Sequence, residues 1–301
     1  MDAVTEEDFS YQSLRQEHLQ MAATFNRRAQ ELGCEDVSDY FWYHTIDLGD
    51  GLITPGTYDY RFNLHQFHFP ENMTGMHVLD VGSGTGFFAF EFERRGAEVT
   101  SVDLPSMANL DRFPGETLEQ TIRKVEEMMR EHALYSADQK KGIFGVEALK
   151  ELYRTHLDGP FKFCHGRLKS KVARCYSTIY EVSREKLGRD DFDLVFIGDV
   201  LVHTINPLQA LAAVTALCRG TLVVSQLLAE TVESRPMMLY VGGDQPGKDE
   251  VTWWWPNQQC FEQMLRKLGF REATMVGNHT GRVRPGGGAY KRAIIHARRV
   301  P

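Results

Sequence analysis

The sequence lacks the features that would place the chain in a membrane or make it a disulfide scaffold. No apolar run approaches the roughly 18 to 20 residues of a membrane-spanning helix, and the acidic start at residues 1–8 is unlike a signal peptide. The five cysteines are odd in number and none are closer than 11 residues apart, which excludes a CxxC zinc site and a disulfide framework. We therefore expect a cytoplasmic protein with free thiols.

Excess positive charge and internal repeats are also absent. The formal net charge of −7 gives no overall attraction to a polyanion, so a nucleic-acid substrate would need a local basic surface. Lys and Arg are concentrated in 161–189 and 279–301, and clusters of this kind are usually solvated faces. With 42% hydrophobic and 25% charged residues, the 301-residue chain has the composition of a globular protein with one core.

Residues 1–75 read as an extension before the main domain. Leu14 and Phe25 belong to a helical repeat, with Ser10 as its predicted N-cap and Gly33 as its C-terminal stop. The segment that follows is aromatic but interrupted by turn-forming residues, which predicts a loop or hairpin laid over another part of the molecule.

Residues 76–301 alternate between strand and helix patterns. The short apolar runs at 77–81 and 192–197 are typical of buried strands, and strand-like runs also end the chain, at 270–276 and 289–298. Alternating strands and helices predict an α/β domain with a doubly wound, mostly parallel sheet covered on both faces.

The interval between the second and third predicted strands is long. It runs from Asp103 to Val172, whereas a crossover connection needs only about a dozen residues. Two amphipathic helices are predicted inside it, one around 118–129 and one at 145–157. We expect the insertion 104–171 to form a helical cap over the active face, and the alternative is a helical ornament packed away from it.

A glycine-rich turn, Asp80-Val81-Gly82-Ser83-Gly84-Thr85-Gly86, stands between a predicted strand and a helix. Glycines there let the backbone approach a ligand, and the helix N-terminus offers free N–H groups. The third glycine comes one residue too early for a dinucleotide fingerprint, and a carboxylate precedes the first one, which favours a cationic ligand over a diphosphate. Asp103 ends the next strand, where it can accept both ribose hydroxyls.

These motifs resemble the class I S-adenosylmethionine-dependent methyltransferases. The resemblance implies a Rossmann-like sheet with an antiparallel last strand and S-adenosylmethionine as the cofactor. It places Asp80 and Gly82 by the methionine part of the cofactor, Asp103 at the ribose, and Ile179-Tyr180 beside the adenine. The cofactor-binding residues implied in this way are Asp80, Gly82, Ser83, Gly84, Gly86, Asp103, Leu104, Ile179, Tyr180 and Asp199.

Other segments are similar to the family of the tRNA wobble-uridine carboxymethyltransferase and its relatives. They are residues 42–51, Gly198-Asp199-Val200-Leu201-Val202-His203, and Trp255-Pro256-Asn257. Val202 stands where the tRNA enzyme has a tyrosine that helps hold the carboxylate of its carboxylated cofactor, and the 104–171 insertion is a further departure. Taken together with these two departures, the resemblance implies that the cofactor is ordinary S-adenosylmethionine and that the acceptor is not the wobble uridine.

Two histidines are candidates for the general base of a methyl transfer. His203 follows the fourth predicted strand, at the edge where ligands bind in open α/β folds, and imidazole titrates near neutrality. Asp199 could orient His203 or contact the cofactor's amino group. His44, on the aromatic segment, is the second candidate. The structural alternatives are that His203 shapes the pocket and His44 anchors its loop, since methyl transfer can run on proximity alone.

Aromatic residues supply the candidate substrate contacts. Trp254, Trp255 and Tyr43 could wall the acceptor pocket, and core packing is the alternative. His65 and His68 have no partners at metal-ligand spacing, so no metal site is predicted.

The sequence thus predicts an S-adenosylmethionine-dependent enzyme that methylates oxygen on a small molecule, such as a sugar or a natural-product intermediate. Two alternatives stay open: an RNA-modifying methyltransferase, and a cofactor-binding protein without catalysis. No membrane partner is expected, and the sequence leaves the oligomeric state, including a homodimer, undetermined.

Overall fold

The computed structural model describes residues 6–131, 146–230, 234–244 and 251–299. Nine strands are assigned in this part of the chain: β1 (His77–Val81), β2 (Glu98–Asp103), β3 (Ala173–Tyr176), β4 (Phe192–Gly198), β5 (Cys218–Gln226), β6 (Met238–Tyr240), β7 (Trp254–Pro256), β8 (Glu272–Arg282) and β9 (Ala289–Arg298). Seven of them form one sheet in the order β3-β2-β1-β4-β5-β9-β8, and β6 and β7 pair separately.

The sheet is mostly parallel. Strands β1 to β5 pair in parallel with their neighbours, and β9 pairs antiparallel with both β5 and β8. The predicted α/β class and the antiparallel last strand are therefore confirmed. The run predicted at 270–276 belongs to a longer strand that continues to Arg282.

Helices cover both faces. They are α1 (Glu6–Glu31), α2 (Phe87–Arg94), α3 (Leu118–Glu131), α4 (Val146–Tyr153), α5 (Gly159–Leu168), α6 (Arg184–Leu187), α7 (Pro207–Thr215) and α8 (Gln258–Lys267). Alternate residues of a strand point to opposite faces. Accordingly, Leu194 and Phe196 of β4 join a core with α2 and α5, whereas Val195 and Ile197 join a second core with α7 and α8.

The N-terminal helix begins earlier than the sequence pattern predicted. Ser10 lies inside α1, so its prediction as the N-cap was wrong. The first described residue of α1 is Glu6, which precedes Ser10 in the helix. Its C-terminal stop is as predicted, since Gly33 has a positive φ of 67°. Buried Phe25 fixes the helix to the domain through an edge contact with Trp42.

The insertion contributes α3, α4 and α5, and residues 132–145 of it lie outside the described residues. Met107, Ile122 and Leu149 form a small core of its own. A π-helical segment, Arg154–Asp158, joins α4 to α5, and such segments are frequent at functional sites.

No helix among the described residues is both long and apolar enough to cross a bilayer. All five cysteines are free.

Candidate functional site

The carboxyl ends of β1, β2 and β4 meet at one edge of the sheet, and the glycine turn lies between them. Gly82 has a φ of 72°, and a Cβ atom there would lie 2.1 Å from Cγ2 of Val200. Gly84 and Gly86 also have positive φ values, of 54° and 95°. The turn therefore needs glycine both for its backbone conformation and for its close approach to the residue after β4.

Asp103, at the end of β2, is held by the backbone on both carboxylate oxygens. Gly84 N–H donates to Oδ2 and Leu104 N–H donates to Oδ1, each at 2.8 Å. The Arg174 guanidinium lies 3.3 Å from Oδ2. An ionised carboxylate has about four acceptor positions, so Asp103 has capacity left to accept hydroxyl groups from a ligand.

Asp80 lies in β1 with 1% of its surface exposed, and its Oδ2 atom is buried without a hydrogen-bond partner. Burial raises the pKa of Asp80 to about 7, while the Arg174 guanidinium opposes the rise and Asp103 adds to it. A buried carboxylate oxygen without a partner is costly. The site is therefore completed by a group that carries positive charge or donates a hydrogen bond.

The predicted adenine-side residues lie at the carboxyl ends of β2 and β3. Ile179 is buried, and the Tyr180 hydroxyl donates to Asp111. The Leu104 carbonyl accepts a hydrogen bond from the Tyr153 hydroxyl at 2.6 Å. This bond ties the end of β2 to the last residue of α4, so the insertion reaches the edge of the sheet that carries the glycine turn.

Asp199, directly after β4, forms an ion pair with Arg292 of β9. The Arg292 Nε–H donates to Asp199 Oδ2 at 2.6 Å, and Asp199 Oδ1 is buried without a partner. Burial raises the pKa of Asp199, and Arg292 opposes this rise. The residue also has a positive φ of 51°. A non-glycine residue held in that region stores strain, which is typical of functional sites.

The His203 ring has one assigned hydrogen bond. Its Nδ1 atom lies 2.5 Å from the carbonyl oxygen of Val251, and a carbonyl can only accept. Nδ1 therefore carries the hydrogen, which leaves Nε2 of the neutral imidazole with its lone pair.

The aromatic segment lies over the glycine turn. The Thr85 hydroxyl accepts the His44 backbone N–H at 3.3 Å and is 3.0 Å from His44 Nδ1. Burial lowers the pKa of His44 to about 3, which leaves it a weak base. Tyr43 is beside it, and burial raises the pKa of the Tyr43 phenol well above its ordinary value. This geometry favours His44 as an anchor for the segment.

The three consecutive tryptophans occupy different surroundings. Trp253 is 1% exposed, and its backbone N–H donates to Val202 at 2.8 Å. The Trp254 indole donates to the carbonyl of Ile205 at 2.9 Å. Trp254 and Trp255 are partly exposed on the β6–β7 ribbon. Trp253 and Trp254 therefore tie this ribbon to the turn that carries His203.

A model of the methyltransferase domain family matches residues 57–273. The chain belongs to this methyltransferase family. Members of this class I family depend on S-adenosylmethionine. The site fits that cofactor, because the unpaired oxygen of Asp80 can meet an ammonium group and Asp103 can accept ribose hydroxyls.

Two curated relatives are similar to parts of the methyltransferase. The tRNA U34 carboxymethyltransferase of Idiomarina loihiensis is 24% identical over 70% of this chain and 50% of its own length. The magnesium-protoporphyrin O-methyltransferase of Rhodobacter capsulatus is 44% identical, over 16% of this chain and 22% of its own. The matches thus span half or less of these relatives.

Among solved structures, the N-terminal domain of EvdMO1 with S-adenosylhomocysteine bound is similar in fold. It is 14% identical, with a TM-score of 0.49, and the match covers 91% of this chain and 95% of that domain.

Two arginines of the methyltransferase site were not predicted as site residues. Arg174 and Arg292 were visible in the sequence only as members of the two basic runs. Each sits instead on a strand at the carboxyl edge and pairs with a predicted site carboxylate, Asp103 or Asp199. The sequence carries no signal for either pairing, because each depends on which strands lie side by side. Within the described ranges, no cluster of His, Cys, Asp and Glu could hold a metal ion.

Asp80 makes the stability of the ligand-free methyltransferase depend on pH. Its raised pKa means that it stabilises the fold fully only below the ordinary carboxyl pKa of about 4, and this contribution is lost as the pH rises through about 7. We expect Asp80→Asn to gain stability relative to wild type between pH 5 and pH 8, by on the order of 3 kcal/mol. Urea unfolding of both proteins at the two pH values measures this. A difference that does not change with pH would contradict the assignment.

Proposed function

We propose that the methyltransferase methylates a hydroxyl oxygen of a small molecule, with His203 as the general base. When bound, S-adenosylmethionine supplies a methyl group activated by its sulfonium. His203 Nε2 accepts the proton of the acceptor hydroxyl, while the oxygen forms its bond to the methyl carbon. The carbon–sulfur bond breaks in the same displacement, and S-adenosylhomocysteine is the second product. The observation that carries this proposal is the hydrogen bond from His203 Nδ1 to Val251, which leaves Nε2 able to accept a proton.

Segments that converge on the carboxyl edge of the sheet support a compact acceptor. The aromatic segment covers the glycine turn through His44 and Thr85, and the insertion is bonded to the end of β2 through Tyr153. On the other side, Trp253 is bonded to Val202. These three contacts bring separate segments over one edge of the sheet, and such walls exclude water and position an acceptor for in-line attack.

The basic residues give little support to a polyanionic substrate. Five of the eight Lys and Arg residues of 161–189 pair with carboxylates, at Lys162–Asp158, Arg167–Asp50, Arg174–Asp103, Lys186–Glu181 and Arg189–Glu98. In the second run, Arg284, Lys291 and Arg292 are paired in the same way. Binding to a nucleic-acid backbone needs cations that neutralise phosphates, and these eight are already paired with carboxylates.

RNA modification is the second candidate function. It is favoured by the similarity to the tRNA U34 carboxymethyltransferase. It is opposed by the net charge of −7. It is also opposed by Val202, a buried apolar residue at the position where the tRNA enzyme has a tyrosine.

Transfer of a labelled methyl group separates the two candidates. The methyltransferase is incubated with methyl-labelled S-adenosylmethionine and either a metabolite extract or total tRNA, with Asp103→Asn as the control for contaminating activity. We expect label in a small-molecule fraction of the wild-type reaction alone. Label incorporated into tRNA would overturn the proposal in favour of the second candidate.

A further inference from the structure

Arg174 of the edge strand β3 is a mostly buried cation beside the glycine turn and the end of β2. Its side chain is 8% exposed. Nη1 donates to the hydroxyls of Ser83 and of Ser101, the latter at 2.9 Å, and Nη2 lies 3.3 Å from Asp103 Oδ2 and 3.5 Å from the carbonyl of Gly84. One guanidinium thus bonds the glycine turn, the middle of β2 and the end of β2.

Helix α5 of the insertion packs against this guanidinium. The Arg174 Cζ atom lies 4.1 Å from the centre of the Phe161 ring of α5, a cation–π distance. The Nε atom of Arg174 is buried and has no hydrogen-bond partner. The guanidinium is therefore held by the hydrogen bonds of its two terminal nitrogens and by its contact with the Phe161 ring. This arrangement is possible because the guanidinium group is planar and rigid.

The charges around Arg174 are balanced in an unusual way. Both Asp80 and Asp103 interact with this cation. Asp103 forms an ion pair with it, and the electrostatic attraction of Arg174 lowers the pKa of Asp80. A ligand with an ammonium group needs at least one of these carboxylates ionised. Without the guanidinium, two carboxylates would share a buried site with no internal cation, which strongly favours protonation of one of them.

We propose that Arg174 is a positioning residue for the cofactor, which locks the glycine turn onto Asp103 and keeps both carboxylates of the site available to S-adenosylmethionine. The carboxylate of Asp103 is then held in one orientation by Gly84, Leu104 and Arg174 before the ligand arrives. Such preorganisation reduces the ordering cost of binding. The proposal concerns the cofactor alone, so it is independent of the acceptor and of His203.

Arg299 offers a matched control for Arg174. Its guanidinium lies 4.7 Å from the centre of the Phe270 ring, it donates to the carbonyls of Thr215 and Leu268, and its Nε atom is also buried without a partner. It follows β9 at the opposite edge of the sheet, where Arg299 N–H bonds to Gly220 at the start of β5. A substitution of Arg299 therefore removes a similar side chain far from the cofactor site.

The test is calorimetric titration of S-adenosylhomocysteine into wild type, Arg174→Met, Arg174→Lys and Arg299→Met, without an acceptor. We expect Arg174→Met to weaken binding about 30-fold, which is the loss expected for charge-assisted hydrogen bonds. The affinity of Arg174→Lys should be intermediate, since an ammonium group keeps the positive charge but lacks the planar set of hydrogen-bond donors. Arg299→Met should bind within about threefold of wild type, because it contacts no site residue. If Arg174→Met does not fold, the affinity of Arg174→Lys for S-adenosylhomocysteine alone decides the question. We then expect Arg174→Lys to bind more than about fivefold more weakly than wild type.

A second readout separates positioning from general destabilisation. Asp80 faces Arg174 and Asp103 as its charged neighbours, and Arg174 holds down the pKa of Asp80, which is about 7. The midpoint of the pH dependence of S-adenosylhomocysteine affinity should therefore move upward in Arg174→Met, by about half a pH unit or more, and stay unchanged in Arg299→Met. An unshifted midpoint, or losses of affinity that are equal in the two methionine variants, would overturn the proposal.

Discussion

Replacing His203 by asparagine is expected to lower the turnover of the methyltransferase by about 100-fold or more, the size of effect expected when a general base is lost. The carboxamide nitrogen of asparagine can still donate to the Val251 carbonyl, as His203 Nδ1 does. It has no lone pair equivalent to Nε2, however, so the acceptor proton has no base. Initial rates with saturating S-adenosylmethionine measure the loss.

His65→Asn is the matched control, since His65 is exposed on the short turn before Phe67. It should keep wild-type turnover. Thermal unfolding of both variants checks that neither is misfolded. If His203→Asn retains turnover within a few-fold of wild type, His203 only shapes the pocket and the base assignment is wrong.

Asp103→Asn is expected to weaken S-adenosylhomocysteine binding about 100-fold, because ribose hydroxyls lose a charged acceptor, whose hydrogen bonds are stronger than neutral ones. The substitution also leaves one of the two backbone donors, Gly84 N–H or Leu104 N–H, facing an amide NH₂ group. The Arg174 guanidinium loses its ion pair as well. Calorimetric titration at pH 8 measures the change.

Asp193→Asn is the corresponding control at the other edge of the sheet. Asp193 accepts the His77 backbone N–H at 2.9 Å and pairs with Arg219, so it resembles Asp103 in having both backbone and arginine partners. It should lose some stability and keep its affinity for S-adenosylhomocysteine. Equal losses of affinity in the two variants would mean that Asp103 acts through folding alone.

Local sequence patterns were sufficient to predict the sheet and the edge that carries the glycine turn. Apolar runs such as 192–197 are recognisable because both faces of a parallel strand are buried. The glycine turn is recognisable because its positive φ values require glycine, as at Gly82 and Gly86. Asp103 follows from the rule that strand ends in open α/β folds converge on the ligand.

Contacts between distant segments could not be predicted in the same way. Arg174 and Arg292 reach Asp103 and Asp199 only because β3 lies next to β2 and because β9 folds back antiparallel to β5. The spacing of residues along the chain contains neither fact. The same holds for His203 and Val251, whose hydrogen bond spans 48 residues and decides which ring nitrogen carries the hydrogen.

The start of α1 shows a different reason for error. A serine is a strong N-cap, but the preceding acidic residues also favour a helix N-terminus, and the helix extends through Ser10 to Glu6. The preference of serine for the N-cap and the preference of acidic residues for the first helical turn are of similar size, and they compete at this point of the chain.

We expect Asp80, Asp103 and the glycine turn to form one site for S-adenosylmethionine. Calorimetric titration of the wild-type chain with S-adenosylhomocysteine, and separately with NAD, tests it most directly. We expect saturable binding of S-adenosylhomocysteine at one site per chain and no heat of binding with NAD. Saturable binding of NAD without any binding of S-adenosylhomocysteine would contradict it.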